Sequence, residues 1–151
     1  MRTFLLFILL LPFWQETETI TGKVVGVSDG DTIVLLLFDN TEVRVRLEGI
    51  DCPEKKQDFG EKAKQATAKM CWNKEVRILK SGIDRYGRTL GFVYVGDTCV
   101  NEELLKMGLA WHYKKYNSDK HYAELEQIAK EGKVGLWSHP NPVAPWDFRH
   151  K

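Results

Sequence analysis

Short β-rich runs separated by turn residues make up most of the chain, and this pattern limits the possible fold more than any other feature. Two runs over residues 19–28 and 32–38 flank Asp29-Gly30-Asp31, and a second turn leads into a third run over 41–50. Aspartate and glycine are favoured in tight hairpin turns. The three runs therefore predict an antiparallel, three-stranded meander.

The third run has two different faces. Val43, Val45 and Leu47 alternate with charged residues, among them Arg46. Because successive side chains of a strand point to opposite sides, one side is expected to pack on a core while the other carries charge. Further β-rich runs over 76–80 and 90–94 predict two more strands, which gives five.

Helices are predicted between and after these strands. Apolar residues from Phe59 to Met70 recur at helical spacing, and Asn101 and Ser118 are expected to cap two further helices. Five short strands with helices at their ends predict an α+β, mainly β fold: a five-stranded OB-fold barrel with about three helices packed on it. At this length, residues 19–151 are expected to form a single domain, with an extended surface tail from about residue 138.

Overall charge and cysteine content point to no particular partner. The chain has 151 residues, with 22 Lys and Arg against 21 Asp and Glu, and a net charge of +1. Bulk electrostatics therefore predict neither a nucleic-acid nor a membrane partner. Cys52, Cys71 and Cys99 are too few for a disulfide scaffold and lack the spacing of a zinc site, although a bridge between Cys52 and Cys71 stays open.

The first 18 residues have the features of a signal peptide. Met1-Arg2-Thr3 precedes an uninterrupted apolar run over 4–11, well short of the roughly 20 residues that span a bilayer. The protein is therefore expected to be secreted or periplasmic. No Ala-x-Ala cleavage pattern follows the run, so a membrane tether through an uncleaved signal is the alternative.

Carboxylates and arginines stand where the chain turns. Asp31 lies in the first hairpin turn, and Asp51 and Glu54 follow the run that carries Arg46. Two carboxylates with a backbone carbonyl and waters suit Ca²⁺ or Mg²⁺, which prefer oxygen ligands, and do not select zinc. Taken singly, these residues also fit ordinary turns and solvated ion pairs, as does the basic segment Asp84-Arg85-Tyr86-Gly87-Arg88.

Four motifs in order carry a family resemblance. They are Asp29-Gly30-Asp31-Thr32, then Arg46 with Asp51-Cys52-Pro53-Glu54, then Asp84-Arg85-Tyr86-Gly87-Arg88, then Val100-Asn101-Glu102 with Gly108-Leu109-Ala110. Their order and approximate spacing resemble staphylococcal nuclease, the thermonuclease family, over about residues 19–137. The loop from Lys55 to Phe59 is shorter than in the staphylococcal enzyme, so the support of Glu54 is expected to differ.

The resemblance implies a role for each matching residue. Carboxylates and one carbonyl would bind Ca²⁺, a glutamate would act as general base on a metal-held water, and two arginines would grip the phosphate and stabilise its developing charge. The implied ligands are Asp31, Asp51 and the backbone carbonyl of Cys52, with Asp29 orienting them; the catalytic residues are Arg46, Glu54 and Arg88; the substrate-binding residues are Tyr86, Tyr116 and Arg85.

The implied activity is that of a secreted, Ca²⁺-dependent endonuclease. It would hydrolyse DNA and RNA, preferably single-stranded, with little sequence specificity, and leave 3′-phosphate ends. A monomer with no stable protein partner is expected. One alternative is a non-catalytic OB-fold module that binds nucleic acid, and another is a structural or adhesive exported domain. Retention of all five motif carboxylates and arginines favours catalysis, because a binding module needs no general base.

Overall fold

The structure is a computed structural model that describes residues 17–150. Nearly all of the predicted signal peptide, residues 1–18, lies outside this range, so the structure does not test that prediction. In the described part of the chain, no helix is both long and apolar enough to cross a membrane.

The strands form a closed barrel and a small separate sheet. The strands are β1 (Thr19–Asp29), β2 (Thr32–Leu36), β3 (Glu42–Leu47), β4 (Ile50–Asp51), β5 (Glu75–Ile83), β6 (Thr89–Val95), β7 (Thr98–Cys99) and β8 (Trp111–His112). The larger sheet has the order β3-β2-β1-β5-β6-β7, and a parallel pairing of β3 with β6 closes its first five strands into a barrel. The predicted five-stranded OB-type barrel is therefore confirmed, with the antiparallel meander at its start.

Three main helices pack on this barrel, as predicted. They are α1 (Gly60–Cys71), α2 (Val100–Lys106) and α3 (Lys120–Glu131), followed by a 3₁₀ turn (Gly135–Ser138) and a short α4 (Pro145–Phe148). The barrel interior is apolar because inward-facing residues of every strand meet there. The fully buried side chains include Val24, Ile33, Leu35, Val45, Ile78 and Val93, joined by Leu104 and Leu105 of α2.

Two of the predicted helix caps are wrong. Asn101 lies inside the first turn of α2, whose N-cap is Cys99. The N-cap of α3 is Asp119, whose carboxylate accepts a hydrogen bond from the His121 amide at 2.8 Å, rather than Ser118. Asparagine, serine and aspartate are all good caps, so composition alone does not choose among close neighbours.

A two-stranded sheet outside the barrel joins the two halves of the chain. Strand β4 pairs antiparallel with β8, so that Ile50 faces His112 and Asp51 faces Trp111. The segment after Ser138 then turns back toward the same region. It is not extended throughout, because Pro145 begins α4 at a position where its missing amide costs no helical hydrogen bond.

Candidate active site

All ten residues predicted for the site line one cavity of about 590 Å³. They come from the β1–β2 turn, from β3, from β4 and the loop after it, from the β5–β6 hairpin, and from the segment after β8. The barrel thus brings together segments that are far apart in sequence. The ten are Asp29, Asp31, Arg46, Asp51, Cys52, Glu54, Arg85, Tyr86, Arg88 and Tyr116.

Arg46 joins the two buried aspartates of the cavity. Its Nη2 lies 3.2 Å from Asp31 Oδ2 and 3.0 Å from Asp51 Oδ1, and its Nη1 donates to the carbonyls of Leu47 and Ile50. Burial lowers the pKa of Arg46, but the Asp31 and Asp51 carboxylates outweigh that effect and raise it. The guanidinium therefore stays charged and holds both carboxylates on one side of the cavity.

The turn that carries Asp31 is held tightly against α1. The Cys52 amide donates to Asp31 Oδ2 at 2.6 Å, and Thr67 of α1 donates its hydroxyl to the Gly30 carbonyl at 2.6 Å. A Cβ added at Gly30 would lie 2.7 Å from the Ala63 Cβ and 2.9 Å from the Cys52 sulfur. Glycine is therefore required by close approach, and this contact sets the depth of Asp31.

Asp29 supports the same turn from the preceding position. Its Oδ1 accepts a hydrogen bond from the Asp31 amide at 3.2 Å. Burial, together with the neighbouring Asp31 carboxylate, raises the pKa of Asp29 to about 7. Asp29 therefore contacts the residue that it was predicted to orient, and the orienting role itself stays a prediction.

The three cysteines are buried thiols. Cys52, Cys71 and Cys99 are all free, so the alternative of a Cys52–Cys71 bridge is not what the structure has. Burial raises the pKa of the Cys52 thiol well above its usual value. A neutral thiol packed in the core is a poor ligand for a hard cation, which leaves the main chain as the part of Cys52 that can contribute.

Glu54 stands on a tight turn between β4 and α1. The Gln57 amide donates to the Glu54 carbonyl at 2.8 Å, and the Gln57 side chain accepts from the Glu54 amide at 3.1 Å. A Cβ at Gly60 would collide with the Glu54 carbonyl. The carboxylate itself is more than one-third exposed and faces the cavity.

Arg149 is a residue of this site that sequence reasoning missed. Its Nη1 lies 2.6 Å from Glu54 Oε1, and its Nη2 lies 2.8 Å from Asp51 Oδ2. Hydrogen bonding to Asp51 and Glu54 raises the pKa of Arg149. The sequence held only a weak indication of Arg149. Pro145 and Trp146, just before it, are typical of a short anchored helix in a tail whose other residues predict an extended chain.

Arg88, which with Arg46 was predicted to grip the phosphate, belongs to the β5–β6 hairpin. Asp84 accepts hydrogen bonds from the amides of Tyr86 and Arg88, and its Oδ2 lies 2.7 Å from Arg88 Nε. The guanidinium groups of Arg85 and Arg88 lie over the Tyr86 ring, at 4.8 and 5.6 Å from its centre. The hairpin therefore adds positive charge to the cavity lining, and the ion pair of Arg88 is with Asp84 rather than with Asp31 or Asp51.

Exposed aromatic rings border the cavity on the hairpin side and on the segment after β8. Tyr86 is 67% exposed and Tyr116 is 64% exposed, so neither is a core residue. Tyr113, which sequence reasoning did not select, packs edge-on against Tyr116 and stacks in parallel on Trp146, with ring centres 5.3 Å apart. These rings offer flat apolar surface next to the charged groups.

The donor chemistry fits a hard cation. Asp31 and Asp51 provide carboxylate oxygens on either side of one Arg46 nitrogen, and Ca²⁺ takes its remaining ligands from carbonyls and water. Over residues 17–150, no group of three or more His, Cys, Asp or Glu side chains is arranged to hold a metal by itself. A zinc-type site of nitrogen and sulfur ligands is therefore not built here.

The barrel and its cavity define a class of protein. It is an OB-type domain with buried carboxylates and arginines at one end, an arrangement suited to a phosphorylated ligand. A family model described as staphylococcal nuclease homologue matches residues 44–139. The chain belongs to that family.

Individual relatives agree with this assignment. The chain is 41% identical over 134 residues to a Haemophilus influenzae protein named as an uncharacterized endonuclease, covering 89% of this chain and 75% of that protein. It is 39% identical over 153 residues to a micrococcal nuclease of Shigella flexneri, covering 94% and 86%. A staphylococcal-like nuclease of Arabidopsis thaliana is 41% identical over 120 residues, covering 76% of this chain and 37% of the plant protein. The family and these relatives support a nuclease that acts on nucleic acid.

Proposed function

We propose that the protein is a Ca²⁺-dependent endonuclease that hydrolyses phosphodiester bonds of DNA and RNA with little sequence specificity. The products carry 3′-phosphate ends, and the protein acts as a secreted monomer. The observation that carries the proposal is the convergence of Asp31, Asp51 and Glu54 with Arg46 and Arg88 around one cavity. A domain that only bound nucleic acid would have no use for a partly exposed carboxylate beside two buried ones.

Asp31, Asp51 and the carbonyl of Cys52 are the residues that would hold Ca²⁺. The ion would supply charge for the phosphoryl oxygens and a site at which water is held near the phosphorus. The chain's own part is to keep two like-charged carboxylates side by side in a buried region, where their mutual repulsion is strong. Arg46 does this by forming an ion pair with each of them.

Glu54 is the residue placed to accept a proton from the attacking water. Its carboxylate lies at the cavity wall on a turn fixed by Gln57 and Gly60. A general base must reach its proton at hydrogen-bond distance, and a rigid turn favours that geometry. Glu54 therefore removes a proton while the phosphorus–oxygen bond to water forms and the 5′-oxygen leaves.

Arg46 and Arg88 would stabilise the charge that develops on the phosphoryl oxygens. Both line the cavity, Arg46 from β3 and Arg88 from the β5–β6 hairpin. Guanidinium groups bind phosphate oxygens in pairs of hydrogen bonds, and this binding strengthens as negative charge accumulates. Asp84 fixes Arg88 through its Nε and leaves its terminal nitrogens for the phosphate.

Tyr86, Tyr116 and Arg85 would contact the rest of the nucleotide. Exposed rings stack on any base, so the contact is tolerant of sequence. A base can stack on a tyrosine only after it has left its neighbours. This requirement favours single-stranded substrate over an intact duplex.

The first prediction concerns the cation and Glu54 together. Purified protein is expected to cleave single-stranded DNA and RNA with Ca²⁺, to lose cleavage in a chelator, and to recover it on adding Ca²⁺. Glu54→Gln is expected to lower kcat by about 100-fold or more, because the amide keeps the shape but accepts no proton. Cleavage is followed on fluorescent oligonucleotides.

Glu75→Gln is the matched control, because Glu75 is exposed on β5 and does not line the cavity. It is expected to match wild type. Undiminished cleavage in chelator would remove the Ca²⁺ assignment. Binding of oligonucleotide without any cleavage, in wild type and in Glu54→Gln alike, would favour the non-catalytic binding module.

A further inference from the structure

Residues 139–149 form a strap across the loop that follows Asp51. The Gln57 side chain donates to the Val143 carbonyl, and the Trp146 ring stacks on Tyr113 while its edge meets Trp111 at 5.5 Å. These contacts fix the strap at two places, one on the loop after Asp51 and one on the segment after β8.

The strap ends with a guanidinium placed on two acidic residues of the site. Arg149 reaches Asp51 Oδ2 at 2.8 Å, Asp51 Oδ1 at 3.3 Å and Glu54 Oε1 at 2.6 Å. Arg46 holds Asp51 Oδ1 from the other side at 3.0 Å. Both oxygens of Asp51, whose side chain is only 2% exposed, are therefore bound by guanidinium nitrogens.

These contacts compete with the roles proposed for the same carboxylates. Asp51 cannot give an oxygen to Ca²⁺ while both oxygens face arginines, and one oxygen of Glu54 is occupied while it pairs with Arg149. Asp31, Asp51 and Glu54 bring three negative charges against the two positive charges of Arg46 and Arg149. Arg149 thus already supplies part of the positive charge that a cation would bring.

We propose that Arg149 is an exchangeable counter-ion of the active site: it pairs with Asp51 and Glu54 in the absence of cation and moves to the substrate phosphate when Ca²⁺ takes its place. This inference rests on the proposed function. Trp146 holds the strap three residues before Arg149, so the released guanidinium stays at the cavity that Arg46 and Arg88 also line. There it is a third positive group for the phosphodiester and acts on substrate binding.

The test measures Ca²⁺ binding without nucleic acid. Isothermal titration of Arg149→Gln with CaCl₂ is expected to give a Kd on the order of 10-fold lower than wild type, because a competing positive charge in contact with the ligands is gone. Arg44→Gln is the control: Arg44 is exposed on β3 and does not line the cavity, and the change in net charge is the same. Its Kd is expected to equal that of wild type.

A second variant tests the strap itself. Trp146→Ala removes the stack on Tyr113 and is expected to lower the Ca²⁺ Kd in the same direction, by less than Arg149→Gln. The double variant should bind as tightly as Arg149→Gln alone, because both changes act through one guanidinium. Circular dichroism and the thermal midpoint establish that each variant folds.

Kinetics at saturating Ca²⁺ test the second half of the exchange. Arg149→Gln is expected to raise KM for an oligonucleotide by about 10-fold while kcat changes by less than about threefold, because a phosphate contact is lost and the chemical groups remain. An unchanged or lowered KM would overturn the transfer to phosphate.

The outcomes separate this inference from the proposed function. Equal Ca²⁺ affinities in wild type and Arg149→Gln, with Ca²⁺-dependent cleavage intact, would overturn the counter-ion role and leave the proposed function standing. Failure of both proteins to bind Ca²⁺, with cleavage unaffected by chelator, would overturn the cation assignment and the exchange together.

Discussion

Cys52 stands between the two aspartates of the site in space, yet its side chain belongs to the core. The sulfur packs against the backbone of Gly30, and Cys52 as a whole is 3% exposed. Only its amide, which donates to Asp31, is tied to the charged groups. The residue therefore acts on the site through its main chain, and its thiol contributes packing.

Cys52→Ser tests this separation of roles. Ca²⁺-dependent turnover is expected to stay within a few-fold of wild type, while the free energy of unfolding falls by about 1 to 2 kcal/mol because a hydroxyl is buried without a partner. Urea melts and initial rates measure the two quantities. Cys71→Ser is the control: the Cys71 sulfur donates to the Thr67 carbonyl at 3.0 Å, so a hydroxyl there keeps a partner and should cost less. Loss of turnover at unchanged stability in Cys52→Ser would mean that the sulfur itself takes part.

The site residues that the sequence predicted and the one it missed differ in a physical respect. Asp31, Arg46, Asp51 and Glu54 lie on or next to strands whose pairing follows from alternation and turn residues, so their convergence follows from the barrel. Arg149 is held at the site because Trp146, three residues before it, stacks on Tyr113. This contact joins two segments that no periodic sequence pattern connects. Long-range side-chain packing of this kind leaves little trace in one sequence.

At the level of elements, α2 is fixed to the barrel by a buried asparagine. The Asn101 side chain accepts from the Val93 amide at 3.0 Å and donates to the Glu48 carbonyl at 2.9 Å. It is completely buried. It thus binds β6 and the end of β3, the two strands whose parallel pairing closes the barrel. The sequence indicated a polar residue at a helix start, and only the tertiary fold decides that its partners lie on the barrel.

Asn101→Ala is expected to lower the free energy of unfolding by about 2 to 5 kcal/mol. The change leaves the buried Val93 amide and the part-buried Glu48 carbonyl without their side-chain partner. Such a loss costs about 1 to 3 kcal/mol for a fully buried group and less for a part-buried one. Denaturant melts provide the measurement, with Asn141→Ala, an exposed position in the strap, as the comparison. If the two alanine variants melted alike, Asn101 would contribute no more than a surface residue.

Across the whole molecule, the position of Asp51 depends on α3. Strand β4 carries Asp51 and pairs with β8 rather than with the barrel. Strand β8 is in turn held by Glu126 of α3, whose Oε1 accepts from the His112 amide at 3.0 Å. Glu126 is buried, and its Oε2 lies 2.9 Å from Lys130 Nζ and 3.2 Å from Lys114 Nζ. The first and last thirds of the chain meet at the carboxylate of Asp51.

Glu126→Gln tests this connection through its pH dependence. Burial acts to raise the pKa of Glu126, but hydrogen bonding to Lys130 and His112 outweighs it and lowers the pKa below its ordinary value of 4.5. A lowered folded-state pKa means that the ionised carboxylate stabilises the fold above about pH 4.5, and that this stabilisation is lost as the pH falls through the folded value.

At pH 7 the Glu126→Gln variant is expected to be less stable by about 1 to 3 kcal/mol, because glutamine still accepts from His112 but leaves two ammonium groups without a charge partner. Below the folded pKa the wild-type carboxyl is also neutral, so the difference in unfolding free energy should shrink toward zero in melts from pH 7 to pH 3. Glu124→Gln, on the exposed face of the same helix, is the control and should show no such convergence. If the difference in unfolding free energy between wild type and Glu126→Gln stayed constant over the whole pH range, the charge of Glu126 would not be what holds β8 in place.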